Sequence, residues 1–347
     1  MSQYTFIDLF SGCGGMSLGF EQAGFKCLLA IDCWEDALIT YRHNRKDANV
    51  LCADIDKIDT ASLVEDFKGV SIDLVIGGPP CQGFSIAGKR IVNDERNALY
   101  KSFVRFVATF RPRAFVMENV PNILSMAGGV IKDAIVEEFT GLGYKVEYKV
   151  LMASDYGVPQ NRRRAFFVGL LNGQSFEFPT KSIDTPISAL DAISDLCEDT
   201  IEDGSPYPVL AQSDFQRKMR EESTGVYNHQ ITHHTPKTIE TIALVPDGGN
   251  YKDLPLELQG TRKVNIAWTR LNSQRPSFTI DTGHRHHFHY KYNRVPTVRE
   301  SARLQSFPDA FVFKGSKGSQ LEQVGNAVPP LLALVIAKKI KQQISHV

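Results

Sequence analysis

FIDLFSGCGGMSLGF, residues 6–20, begins as an apolar, β-favouring run and then breaks into Gly12-Cys13-Gly14-Gly15. The pattern predicts a strand over Tyr4–Phe10 and a helix from about Met16 to Ala23. A strand that enters a glycine-rich turn and then a helix lets backbone pass close to a ligand.

The same rhythm continues outward. Strands are expected at Lys26–Ile31, Val50–Cys52, Leu74–Ile76, Ala114–Met117, Lys145–Leu151 and Ala165–Leu170, with helices over Ala37–His43, Ala98–Thr109 and Lys132–Gly141. Strands alternating with helices imply a doubly wound α/β sheet. In such a sheet ligands sit beyond the carboxyl ends of the strands. Gly12–Gly15, Asp32, Asp54, Cys81 and Glu118 all fall at those ends.

Asp32 lies about twenty residues past the glycine turn, where an acid suits a ribose hydroxyl pair. The G-x-G-G spacing departs from the dinucleotide fingerprint G-x-G-x-x-G, so a nicotinamide dinucleotide and a ligand without pyrophosphate, such as S-adenosylmethionine, both stay open. Asp54 reads equally as a loop cap or as a partner for an adenine amino group.

Beyond Asn172 the rhythm stops. Residues 173–262 are rich in loops, Pro and Gly, and imply a second, smaller and irregular domain. Leu331–Ile344 reads as an amphipathic helix returning to the first domain. The expected limits are 1–172, 173–318 and 319–347.

The chain has 347 residues, of which 42% are hydrophobic and 22% charged, the balance of a globular protein with a substantial core. No apolar run has membrane-spanning length, and MSQYTFIDLF lacks the basic start of a signal peptide, so the cytoplasm is the default. The six cysteines are irregularly spaced without a C-x-x-C pair, which argues against a disulfide framework and a zinc site. Net charge is zero, but the average hides an acidic excess over Glu177–Glu222 and a basic, histidine-rich Arg262–Arg303. A local basic stripe suffices to hold phosphates.

Three further motifs carry chemistry. In IDLVIGGPPCQGFS, residues 72–85, two prolines stiffen the approach to Cys81, whose thiolate would be the useful form. The alternative is a buried loop cysteine. In VMENVP, Glu118 ends a strand; in an apolar pocket it would hold a proton that it could deliver, and otherwise it is a capping or ion-paired glutamate. In QNRRR, residues 160–164, Arg162 and Arg164 on one strand would share a face and point together into a site.

These blocks, in this order, resemble the DNA (cytosine-5) methyltransferases of prokaryotes and their phages. The glycine loop, Asp32 and Asp54, GGPPCQGFS, Glu118-Asn119-Val120, Gln160-x-Arg162-x-Arg164, TVRESARLQSFPD (297–309) and QVGNAVPP (323–330) each match a family block. The resemblance covers about residues 4–171 and 263–340. It implies a Rossmann-like, S-adenosylmethionine-dependent catalytic domain and a target-recognition domain. The implied reaction is methyl transfer to carbon 5 of a cytosine flipped out of double-stranded DNA. Cys81 would attack carbon 6, Glu118 would meet ring nitrogen 3, Arg164 would hold the base carbonyl, and Arg162 would support the pocket. The Pro79 carbonyl would accept from the exocyclic amine.

For the cofactor the resemblance points to Phe10, Gly12, Gly14, Gly15, Asp32, Cys33, Asp54, Ile55, Pro80, Asn326 and Val328, with S-adenosylhomocysteine as product and no metal. Many relatives place Glu-Trp where this chain has Asp32-Cys33, followed by Trp34. Residues 82–97 resemble the loop that closes on DNA, with Gln82, Ser85, Lys89, Arg90 and Arg96 as contacts. YNHQITHHTP (227–236) and VPDGGNYKDLP (245–255) look like scaffold. A monomer working alone or beside a cognate restriction endonuclease is expected. A transfer-RNA methyltransferase of the same fold would carry a Cys-Phe-Thr signature, which is not found; a non-catalytic relative would be expected to lose Cys81 or the cofactor acids, which are present.

Overall fold

The computed structural model describes residues 3–80, 98–171, 173–259, 268–283 and 287–345. By packing, the chain divides into two units: Met1–Met152 with Arg163–Lys181 and Leu332–Val347, and Ala153–Arg162 with Ser182–Leu331. The divisions therefore fall later than the expected 172 and 318, and a short excursion at 153–162 belongs with the second unit.

The first unit holds a seven-stranded sheet. In chain order its elements are β1 (Thr5–Leu9), α1 (Gly15–Gln22), β2 (Lys26–Asp32), α2 (Glu35–Asn44), β3 (Val50–Cys52), α3 (Thr60–Asp66), β4 (Leu74–Gly77), α4 (Ala98–Phe110), β5 (Ala114–Asn119), α5 (Val130–Gly141) and β6 (Lys145–Met152). After β7 (Gln160–Asn161), which lies in the second unit, comes β8 (Arg163–Leu170). The strand order is β3-β2-β1-β4-β5-β8-β6. All pairings are parallel except those of β8, which runs antiparallel to both neighbours.

Because β1 pairs with β2 on one side and β4 on the other, the order reverses at β1/β4. That reversal is where doubly wound sheets open a crevice. The strand cores read as continuous apolar runs because both faces are covered: Phe6, Ile7, Leu9, Leu74, Val75 and Ile76 have no exposed surface. Phe115 of β5 stacks on Phe139 of α5 at 3.9 Å, and Phe103 of α4 meets both rings edge-on. A side chain at Gly169 on the neighbouring β8 would collide with the Phe115 ring.

Two boundaries matter for the site. β4 extends to Gly77, where a side chain would run into the Leu9 carbonyl of β1. β5 extends to Asn119, so Glu118 sits inside the strand, in register with Phe166. The sequence reading lacked α3: none of its residues is buried, so it carries no apolar stripe, and it is started by the Asp59 cap on the Ala61 amide at 2.9 Å. The final helix, α12, spans Pro330–Ile344, with Lys341 donating to the Ala23 carbonyl at 2.8 Å.

The second unit is more ordered than its sequence suggests. It contains α6 (Ala189–Ile193), α7 (Asp214–Arg220), α8 (Pro236–Ala243), α9 (Leu256–Gln259), β9 (Thr269–Arg270), β10 (Ser277–Phe278), β11 (His287–Phe288), α10 (Val298–Leu304) and α11 (Lys317–Asn326). The short strands pair as β7 with β10 and β9 with β11. Its centre is α10, every residue of which is buried. Arg294 grips both Glu300 carboxylate oxygens at 2.8 Å, and Arg303 grips Asp309 and, at 2.6 Å, Asp195. Arg299 donates to the carbonyls of Tyr227, Pro308 and Phe311. His229, in the 227–236 segment, links Thr297 to the Cys197 carbonyl.

No helix among the described residues is long and apolar enough to cross a membrane.

Candidate active site

The glycine loop leaves β1 through three left-handed residues, Phe10 (φ 57°), Gly12 (φ 52°) and Gly14 (φ 89°). Gly14 is the N-cap of α1, whose first turn has neither a capping side chain nor an acid. From the next strand, Asp32 accepts the Gly12 amide at 2.8 Å and the Trp34 amide at 2.9 Å. Burial pushes its carboxyl above the ordinary value, while the amides of Gly12, Trp34 and Cys33 pull the other way. Cys33 is exposed and Trp34 is half-buried at the start of α2.

Asp54 takes the capping role. Its carboxylate accepts the Asp56 amide at 3.2 Å and pairs with Lys57 at 3.1 Å; these contacts, the lysine first, hold it below the ordinary value. Ile55 beside it is buried in the main core.

At the other side of the sheet reversal, Glu118 meets Arg164 of β8 at 2.9 Å, and both side chains are mostly buried, 12% and 14% exposed. The expected apolar wall around Glu118 is thus a guanidinium, because β8 pairs antiparallel with β5 and brings its first residues alongside the last residues of β5. A Cβ at Gly78 would lie 2.9 Å from a Glu118 oxygen, so the acid rests against the GGPP backbone. Asn119 donates to the Pro79 carbonyl at 2.9 Å; Pro79 is buried and Pro80 exposed. A carbonyl has a second lone pair, so this bond leaves Pro79 able to accept another donor. Asn119 was absent from the sequence reading as a positioning group, although its place beside Glu118 in the ENV block was visible.

Cys81, Gln82, Ser85, Lys89, Arg90 and Arg96 lie outside the described residues.

Contrary to the sequence reading, Arg162 and Arg164 do not lie on one strand. The strand pairing lapses between Asn161 and Arg163, so Arg162 sits in no strand. Within the second unit it is 1% exposed and donates to the Gly325 carbonyl at 2.9 Å and the Ile280 carbonyl at 3.3 Å. Gln160 reaches the Leu304 carbonyl and the Gln305 side chain, and Gln305 donates to the carbonyls of Val324 and Ala327. Arg162 and Gln305 therefore hold the end of α11, with exposed Asn326, and the turn after it that leads to buried Val328.

A feature that the sequence reading passed over lies under the glycine loop. Asp8, inside β1, is fully buried and accepts from Ser17 at 2.5 Å; Ser17 in turn accepts from Tyr41 at 2.8 Å. An acid in the middle of FIDLF was the available signal. Burial raises the Asp8 carboxyl to about 7, with Ser17 and Arg45 opposing.

Comparison with known proteins supplies the family. Residues 4–342 match the model of the C-5 cytosine-specific DNA methylases. The type II methyltransferase M1.HphI of Haemophilus parahaemolyticus is 41% identical over 97% of this chain and 86% of its own length. The type II methyltransferase M.DdeI of Desulfomicrobium norvegicum is 42% identical over 96% of this chain and 88% of its own. Among solved structures, an E. coli prophage protein described as a DNA modification methyltransferase superposes with a TM-score of 0.83 at 28% identity, covering 99% of this chain and 100% of that one. The Dnmt2 methyltransferase of S. pombe shares the fold, with a TM-score of 0.61 at 16% identity over 99% of each chain. With the matched blocks spread over both units, the chain belongs to the C-5 cytosine-specific DNA methylase family.

Proposed function

We propose that this chain methylates carbon 5 of a flipped-out cytosine within a short double-stranded DNA sequence, through a covalent bond between Cys81 and carbon 6. The observation that supports the reading is the Glu118–Arg164 pair at 2.9 Å, resting against the Gly78 backbone three residues before Cys81. Acid, guanidinium and nucleophile loop meet at one strand end, as attack on a flipped pyrimidine requires.

The first unit fits S-adenosylmethionine. The open first turn of α1 suits the carboxylate of an amino acid, and Asp32 retains acceptor capacity for a ribose hydroxyl. Phe10, Gly12, Gly14, Gly15, Asp32, Cys33 and Ile55 would hold it, with Asp54 and Pro80 beside them, while Asn326 and Val328 are assigned to the cofactor by the family resemblance alone. When bound, the group supplies an electrophilic methyl on a sulfonium.

The remaining work belongs to the protein. The Cys81 thiolate forms the bond to carbon 6, and the displaced electron pair moves through the ring. Glu118 shares its proton with ring nitrogen 3 as charge develops there and takes it back when Cys81 departs. Arg164 steadies the carbonyl of the base, and Arg162 holds the Gly325 and Ile280 carbonyls. After methyl transfer the carbon 5 proton leaves to a base, the Cys81–carbon 6 bond breaks, and the aromatic ring returns. Gln82, Ser85, Lys89, Arg90 and Arg96 contact the DNA. The type II designation of the relatives supports a place beside a cognate restriction endonuclease; that the protein works as a cytoplasmic monomer is part of the same proposal.

Bisulfite sequencing of DNA from a methylation-free host expressing this chain tests the proposal, with Cys81→Ser as control. Protected cytosines at one short sequence, lost in the control, are expected. A soluble protein that binds S-adenosylhomocysteine yet protects no cytosine would overturn it.

A further inference from the structure

The glycine loop is braced from behind by α2. Arg45, the C-cap of α2, donates through Nη2 to the Gly14 carbonyl at 3.0 Å and through Nε to both Glu21 oxygens at 2.9 and 2.7 Å. Its guanidinium lies 4.2 Å above the Tyr41 ring, which is fully buried. A Cβ at Gly14 would lie 2.7 Å from both the Arg45 guanidinium and the Tyr41 ring. The left-handed N-cap of α1 is therefore clamped: Asp32 holds the loop at Gly12, and Arg45 with Tyr41 holds it at Gly14.

We infer that Arg45 is a positioning residue for cofactor binding, setting affinity for S-adenosylmethionine by holding Gly14 in place. The inference rests on the glycine loop being the cofactor site. Glycine backbone is conformationally permissive, so a loop with three left-handed residues does not hold one shape unaided. The apparent dissociation constant is the intrinsic one divided by the fraction of loops in the competent shape. A cation fork that grips both a carbonyl of the loop and Glu21 of α1 raises that fraction.

Calorimetric titration with S-adenosylhomocysteine tests it, together with cofactor kinetics and the unfolding midpoint of each variant. Replacing the pair together, Glu21→Gln with Arg45→Met, leaves no lone buried charge. That variant is expected to stay folded, to bind S-adenosylhomocysteine about tenfold more weakly, and to raise KM for S-adenosylmethionine by the same factor. Its kcat at saturating cofactor is expected within about twofold of the parent, a split that general destabilisation does not produce. Arg45→Lys preserves the charge beside Glu21 without the planar fork; it is expected to keep the midpoint and lose part of the affinity, and it decides the matter if the double variant unfolds. Parental affinity in either folded variant would overturn the inference. A parent protein that binds no S-adenosylhomocysteine would remove the cofactor reading itself, and the brace with it.

Discussion

Glu118 and Arg164 show how much one side chain's surroundings depend on its neighbour strand. In sequence Glu118 ends an apolar run and invites an apolar pocket; in space the antiparallel β8 delivers a guanidinium to it. Glu118→Gln is expected to lower kcat by about 10² to 10⁴, the usual range for losing a positioned acid, with S-adenosylhomocysteine affinity unchanged. Stopped turnover accompanied by lost cofactor binding would instead mark Glu118 as structural. Asp8 makes a prediction about pH. Its carboxyl is raised from 3.8 to about 7, so the neutral form is the one that folding favours. The stability it contributes is full below pH 3.8, drains as pH rises, and is gone above 7. Asp8→Asn keeps that side chain neutral and should be the more stable protein at pH 8, by about 2–4 kcal/mol. Urea unfolding at pH 5 and pH 8 checks this; parallel loss of stability in both proteins would mean that Asp8 does not titrate. Cys33, exposed beside Asp32, should react with a maleimide in the free protein and be shielded by saturating S-adenosylhomocysteine. Equal labelling with and without the ligand would move the ribose away from Asp32.

At the level of elements, legibility followed burial. β1, β4 and β5 were readable because strands covered on both faces leave continuous apolar runs, and the glycine turn was readable because positive φ selects glycine. The helix α10 was not. VRESARL looks like a solvated helix face, yet Arg299, Glu300 and Arg303 have no exposed surface. Their partners come from Asp195, Arg294 and Asp309, none of which local sequence identifies. Breaking such a set is costly, since it strands buried charge: Arg303→Met is expected to lose about 3–5 kcal/mol in urea unfolding. A loss below 1 kcal/mol would mean that water reaches Asp309. Burial alone would raise the Glu300 carboxyl, but Arg294 and its other neighbours outweigh it and hold it well below the ordinary 4.5. Its contribution to stability is therefore present above pH 4.5 and lost as the pH falls below that value.

The whole molecule is electrically balanced, with 39 basic and 39 acidic side chains, so long-range attraction contributes little to DNA binding. Affinity then depends on local contacts, and Lys89, Arg90 and Arg96 are the proposed ones. Arg90→Ala should weaken binding to every duplex alike and reduce the slope of log K against log salt by about 1. An unchanged slope would take Arg90 off the phosphates. The two packing units also reassign one residue: the Arg162 side chain belongs with Gly325 and Ile280 of the second unit, while Arg164 belongs with the sheet.

The sequence by itself determined the family, the doubly wound sheet and the order of the motifs along it, because those are written in local periodicity and in residue types at fixed spacing. Only the tertiary structure decided the partners: Arg164 for Glu118, Asn119 for the Pro79 carbonyl, Arg45 for Gly14, and the buried arginines of α10 for their acids. Such pairs join residues made neighbours by strand order and helix packing. A charged side chain's environment, unlike an apolar run, leaves no mark on the residues beside it in the chain.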